Sequence, residues 1–528
     1  MSELPMGWTT TTLGELAEVI RGVTYKKEQA KASPSDGLLP LLRATNISQE
    51  LDFDNLVYVP NRNVSDLQMH RQGDIVIAAS SGSKAIVGKA AILCSDWTGT
   101  FGAFCAVARP HQAIAAKYLS YYMQTSQYRS YISACSAGVN INNLKATDLG
   151  SFELFLAPRR EQDRIVNEIE KQFTRLDAAT AALKRVQANL KRYRASVLKA
   201  ACEGQLVSTE AELARKEGRD YEPADKLLQR ILRERRARWE ADTLAKMQAS
   251  GNPPKDDHWK HKYKEPSAPD TSNLPPLPVG WCWAGLEQIA RFQNGRPFPS
   301  SQYGEDGIRL IRPGNLHVSG RVVWDEKNTR CLPAPYAEDN SDLIVRGGEL
   351  IMNLTAQPLR DEFLGRICIT DEDEVSLLNQ RLARITPVLI PPQFMLWTLK
   401  SWRFRRFVDK LNTGSLIQHM FTSQLAEFAV ALPPIAEQQR ISDAVDAQLI
   451  ILNSQEKTLE ITNARSSSLR RATLTAAFTG QLVPQDPNDE PASALLERIR
   501  VERASQPRQK ATRNSKQRPG TARQRGAK

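Results

Sequence analysis

Ala157-Pro158-Arg159-Arg160-Glu161-Gln162-Asp163-Arg164-Ile165 opens a run that, beyond Pro158, contains neither Gly nor Pro until Gly204-Gln205-Leu206-Val207. Proline costs little in a first helical turn, and Gly204 is a natural stop, so the run predicts one continuous helix. Heptad d positions fall on Ile169, Leu176, Leu183, Leu190 and Val197. The a positions are mixed: Val166, Phe173, Thr180, Gln187, Arg194 and Ala201. A seam with one good edge needs a partner along its length. At 1.5 Å per residue such a helix is about 60 Å long.

The stretch occurs twice. Leu432-Pro433-Pro434-Ile435-Ala436-Glu437-Gln438-Gln439-Arg440-Ile441 opens a second run, which ends at Gly480-Gln481-Leu482-Val483. Glu161 and Glu437 are 276 residues apart, as are Gly204 and Gly480. Two matched helices in one chain are natural partners for each other. The segments around them repeat as well. Leu4-Pro5-Met6-Gly7-Trp8 returns as Leu277-Pro278-Val279-Gly280-Trp281, and Gln72-Gly73-Asp74-Ile75-Val76-Ile77 as Gly347-Gly348-Glu349-Leu350-Ile351-Met352. Strands are expected over 86–92 and 363–369, then aromatic helical segments over 118–131 and 394–411. Gly turns (136–141, 412–417) and a last strand (152–156, 428–432) precede each long helix. Scaffold positions repeat, while the segments between them, such as 80–84 and 354–360, differ.

Composition is that of an ordinary globular protein, with 41% hydrophobic and 25% charged residues and no apolar run near 18 residues. No signal-like h-region follows Met1, and seven scattered cysteines without a C-x-x-C pair argue against a disulfide framework or a zinc site. A reducing cytoplasm is the expected setting. The net charge is +12, of which residues 501–528 carry +8 through nine Lys and Arg against one Glu. That tail reads as disordered, either attracting phosphates or solubilising the chain. The arginine-rich helix over 224–247, with Arg230, Arg233, Arg235, Arg236 and Arg238, reads as a basic patch or as a solvated face. There is no phosphate-binding G-x-x-x-x-G-K-[ST], no H-E-x-x-H, no G-x-S-x-G and no methyltransferase Asn/Asp-Pro-Pro-aromatic. A DNA-binding regulator, a coiled-coil scaffold and a fused methyltransferase or nuclease all stay open on the residues alone.

The repeated order L-P-x-G-W, globule, P-P-x-x-E-Q-x-R-I, long helix, G-Q-L-V resembles the specificity subunit of type I restriction-modification systems over residues 4–500. The first copy departs slightly, with Ala157-Pro158-Arg159-Arg160 at the helix start, and the Pro-rich linker is an insertion that smaller members lack. The resemblance implies an α+β fold with two mixed α/β target recognition domains. Their two long helices would pack as an antiparallel coiled-coil spacer with pseudo-twofold symmetry. The expected boundaries are 1–157 and 274–432 for the recognition domains and 158–204 and 433–480 for the helices. A charged helix and linker would fill 205–273, and a short helix with the basic tail 481–528. The resemblance further implies a non-catalytic subunit that holds no cofactor or metal of its own and binds double-stranded DNA. Its partners would be two methyltransferase subunits using S-adenosylmethionine and two motor/nuclease subunits using ATP and Mg. The target would be asymmetric and bipartite.

Base contacts are expected from polar residues beside the repeated strands. These are Arg43, Asn46, Ser81, Lys84, Asn140 and Asn142 in the first domain, and Arg312, Asn315, Thr355, Gln357, Arg360 and Gln418 in the second. Arg suits guanine, and Asn or Gln suits adenine. Lys89 and Arg366, each after a strand Gly, suit phosphate. Taken singly, each also fits a turn former or a surface polar group. At the helix starts, Glu161, Gln162, Arg164, Glu437, Gln438 and Arg440 suit either partner contact or a capping and hinge role. Lys184, Arg185, Lys191, Arg192 and Arg194 offer a second helix face to DNA or to a methyltransferase.

Overall fold

The structure, a computed structural model, describes residues 4–135, 142–356, 362–411 and 418–505. The chain divides into two compact units. One comprises residues up to 183 and from 461 onward, the other residues 184–460.

In the first unit an antiparallel sheet runs in the order Ala17–Arg21, Cys105–Pro110, Ile75–Ala78, Ala90–Ile92. All four residues of Ile75–Ala78 are buried, because both faces of the sheet are covered. Ile75 and Ile77 face a core shared with helices, while Val76 and Ala78 face a smaller core with Leu42 and Phe101. That second core is closed by the strands Val57–Pro60, Leu38–Leu42 and Thr100–Phe101. The second unit repeats the plan with Ala290–Asn294, Leu382–Pro387, Leu350–Asn353 and Ile367–Ile369, covered by a four-stranded sheet centred on Ile308–Ile311 and Val375–Leu378. In each unit the strand before the long helix pairs with the strand after the Gly-Trp motif, as Thr9–Thr12 with Glu153–Leu156 and Cys282–Gly285 with Ala429–Leu432.

Two local expectations are corrected. The strands expected over 86–92 and 363–369 begin only at Ala90 and Ile367. Gly88 (φ +76°) and Gly365 (φ +72°) instead turn the chain, and a Cβ on Gly88 would press into Ile132 at 2.5 Å. The aromatic segments each break into two helices, Ala116–Tyr122 with Ser126–Cys135 and Pro392–Leu399 with Trp402–Leu411. Thr125 and Ser401 mark the breaks, their hydroxyls accepting from the amides of Tyr128 (3.3 Å) and Phe404 (3.4 Å). The Gly turns over 136–141 and 412–417 lie outside the described residues.

The long helices are Arg159–Cys202 and Ile435–Phe478, 44 residues each. Both stop at a left-handed glycine, Gly204 (φ +68°) and Gly480 (φ +72°). The amides of Gln205 and Gln481 then bond back to Ala200 and Ala476, each at 2.8 Å, closing the last turn. Within the first unit the two helices run antiparallel: Gln172 accepts from Thr473 (2.8 Å), and Thr180 meets Ser466 (3.3 Å). Within the second, Arg194 bonds Asn453 (2.7 Å) and Glu456 (2.9 Å), while Tyr193 meets Gln448 (3.2 Å).

Each globular domain therefore packs on the start of its own helix and on the end of the other. Phe478 lies 4.4 Å from Tyr122 and 5.2 Å from Tyr118, ring to ring, and Leu495 and Ile499 of the helix Ala492–Ser505 join the same core. In the second unit Val197, Leu227 and Ile231 have the matching roles. The charged helix Ala224–Ala249 is thus anchored by one buried edge. Its arginines are mostly paired locally, as in Arg230 with Glu222 (2.7 Å) and Arg238 with Glu234 (2.6 Å). The linker beyond it is folded too, with Trp259 stacked on Trp239 at 5.9 Å.

Candidate nucleic-acid interface

A two-stranded ribbon gathers several expected residues in each unit. Ser80–Ser81 pairs with Asn142–Asn143, Ser81 opposite Asn142. Thr355–Ala356 pairs with Gln418–His419, and the Thr355 hydroxyl lies 3.1 Å from His419 Nδ1. The residue before each ribbon is held on both sides. Ala79 donates to the Phe104 carbonyl (2.9 Å) and accepts from the Leu144 amide (2.8 Å). Leu354 likewise donates to Arg381 and accepts from Met420, both at 2.9 Å. Ser81 is half-buried and its hydroxyl accepts from Ser83; Gln418 is buried; Lys84 is exposed.

Arg43 and Arg312 stand at the same corner, because the strands that end at Leu42 and Ile311 accept from the amides of Gly102 and Asn379 in the adjoining turns. Asn46 and Asn315 follow, but both are buried and used within the fold. Their Oδ1 atoms accept from the amides of Arg43 (3.0 Å) and Arg312 (2.9 Å), and their Nδ2 groups donate to the carbonyls of Asp54 (3.0 Å) and Val323 (3.2 Å). They brace the turn, and no edge is left for adenine, which corrects the base-contact role expected of them. Arg43 donates to the Asn55 carbonyl, and Arg312 lies 5.5 Å from the Tyr303 ring centroid. Lys89 is exposed, whereas Arg366 donates to the Leu316 carbonyl (3.2 Å) and lies over Phe363. Asn140, Gln357 and Arg360 fall outside the described residues.

The helix starts act as sockets. Trp8 Nε1 donates to Glu161 (3.1 Å), and Trp281 Nε1 to Glu437 (2.9 Å). Gln162 and Gln438 donate back to the Ala157 and Pro433 carbonyls, at 2.9 and 2.8 Å. All four side chains are buried and spent on contacts within the fold. Arg164 and Arg440 pair with Asp489 and Glu210, each at 2.7 Å, tying each start to the segment beyond the other helix's end. Burial pushes Glu161 and Glu437 above the usual carboxylate range, against the pull of the indole donors. The motifs were visible in the sequence, but their pairing across more than 150 residues was not.

Residues 5–191 match the family described as the type I restriction modification DNA specificity domain. Similarity extends over nearly the whole chain. It is 28% identical over 527 residues to the type I restriction enzyme EcoKI specificity subunit of Escherichia coli (strain K12), covering 97% of this chain and 98% of that one. It is 27% identical over 515 residues to the StySPI specificity subunit of Salmonella potsdam, covering 95% and 96%. Over nearly its whole length the chain is thus similar to type I specificity subunits. A chain from a solved structure of the type I R-M system, described for its complex assembly and conformational transition, shares the fold. Its TM-score is 0.59 at 16% identity, over 91% of this chain and all of that one. The family match takes in the first globular domain and most of its long helix, and the internal repeat relates the second copy to the first. Among the described residues, no helix is long and apolar enough to cross a membrane, and no group of three or more His, Cys, Asp or Glu could hold a metal ion.

Proposed function

We propose that this chain is the non-catalytic DNA-reading subunit of a cytoplasmic type I enzyme, each recognition domain reading one half of an asymmetric, bipartite target. The observation that carries this reading is a scaffold repeated down to its hydrogen bonds, with different side chains at matching positions. Identical domains would read identical half-sites; these two present Ser81 against Thr355 and Lys89 against Arg366. The long helices contribute residues to both units and would set the non-specific gap, as dimer geometry sets half-site spacing elsewhere.

In this reading two methyltransferase subunits, with S-adenosylmethionine, methylate adenine at the target. Two motor/nuclease subunits, with ATP and Mg, cleave unmethylated DNA. Ile450 and Ile451 on the second long helix, 68% and 52% exposed, support a protein partner along that helix. Exposed Lys184, Arg185, Lys191 and Arg192 would lie along phosphate, while Arg194 is engaged between the helices. The test is an exchange of residues 274–432 for the matching domain of a relative, followed by methylation mapping. One half of the methylated motif should change and the other persist. Change in both halves, or in neither, would overturn the proposal.

A further inference from the structure

The two sides of the ribbon carry a pattern that the expected residues do not include. On one side, Phe104 and Arg381 occupy the same turn position, each just before an equivalent strand, Cys105–Pro110 or Leu382–Pro387. On the other, Lys145 and Phe421 each follow the residue whose amide bonds to Ala79 or Leu354. Phe104 is 68% exposed and Phe421 65%, and Lys145 and Arg381 are exposed. The first domain thus has an aromatic, then a cation; the second has a cation, then an aromatic. Neither phenylalanine has a ring partner and neither cation an ion pair among the described residues.

A large aromatic exposed this far gains nothing for the fold. Its backbone, by contrast, is well held: the Phe104 carbonyl accepts from both Ala79 (2.9 Å) and Ser80 (3.0 Å), and the Phe421 amide donates to Gln424 Oε1 (2.9 Å). A side chain projected from a rigid turn is suited to discriminating recognition.

We infer that these transposed pairs are specificity-determining positions for the two half-sites, an inference that rests on the DNA-reading function proposed above. The aromatic ring makes apolar contact with a thymine methyl, and Arg381 bonds the O6/N7 edge of guanine. Transposition of the two chemistries about the ribbon makes the half-sites differ in sequence while the domains share one fold.

The test uses the full chain assembled with its methyltransferase partner and a library of duplexes varied through the target, with the bound fraction sequenced. Arg381→Ala should relax a guanine preference in one half-site about tenfold, with Arg381→Lys retaining part of it. Phe104→Ala should relax a thymine preference in the other half-site, with Phe104→Leu intermediate. Uniform weakening across all sequences would mark phosphate contact and overturn the inference. So would an unchanged preference in both variants while the wild type still selects a split target. If the wild-type complex selects no split target, the DNA-reading proposal itself fails, and this inference with it.

Discussion

Asp74, in the turn before the central strand of the first domain, is buried and accepts from Arg109 Nε and Nη2, both at 2.8 Å, and from the Arg71 amide at 2.9 Å. Glu349 is its counterpart and accepts from the Arg346 amide at 3.0 Å, but Arg384 reaches it from two residues earlier on its strand than Arg109 does. The same carboxylate position is kept while the cation moves, because either site on the strand can reach it. Burial pushes the Asp74 carboxyl up, yet hydrogen bonds from Arg109 and the Arg71 amide, with His70 3.6 Å away, outweigh that and hold it below its ordinary value. A depressed acid stabilises the fold above its unfolded pKa, and that stability is lost as pH falls through the folded one. Asp74→Asn should therefore cost about 3 kcal/mol at neutral pH by leaving Arg109 without its anion. In denaturant titrations the gap from wild type should narrow below about pH 4. A gap independent of pH would show that the charge is not what matters.

At the scale of elements, much of the fold was legible because punctuation and periodicity are local. Pro158 and Gly204 bracket the first helix, and the repeat supplies the second. Buried strands such as Ile75–Ala78 show as short apolar runs. The ribbon was only half legible. Its strands are two residues long and come from segments about 60 residues apart, so no periodicity betrays the pairing, although its polar residues were singled out. Asn46 and Asn315 look like base readers in sequence, and only the turn geometry shows them turned inward. Phe104 and Arg381 escaped notice because they lie in turns between recognisable strands. Helix packing was also hidden: the helix after the second long helix serves the first domain. Leu495→Ala should therefore destabilise the first unit by about 3 kcal/mol, and Leu227→Ala the second by a similar amount. Hydrogen exchange should quicken in strands 75–78 and 105–110 for the former and in 350–353 and 382–387 for the latter. Faster exchange in the sequence-adjacent domain instead would contradict this packing.

For the whole molecule, the duplication is the central fact, since one chain carries two versions of the same domain on shared long helices. The proposal it supports is that the chain directs methylation to an asymmetric split sequence. It is tested most directly by co-expressing the chain with its methyltransferase subunit and mapping methylated adenine across the host genome. The account predicts new methylation at one motif made of two different short half-sites around a fixed gap. A continuous palindromic motif, or no new methylation despite a stable complex, would contradict it.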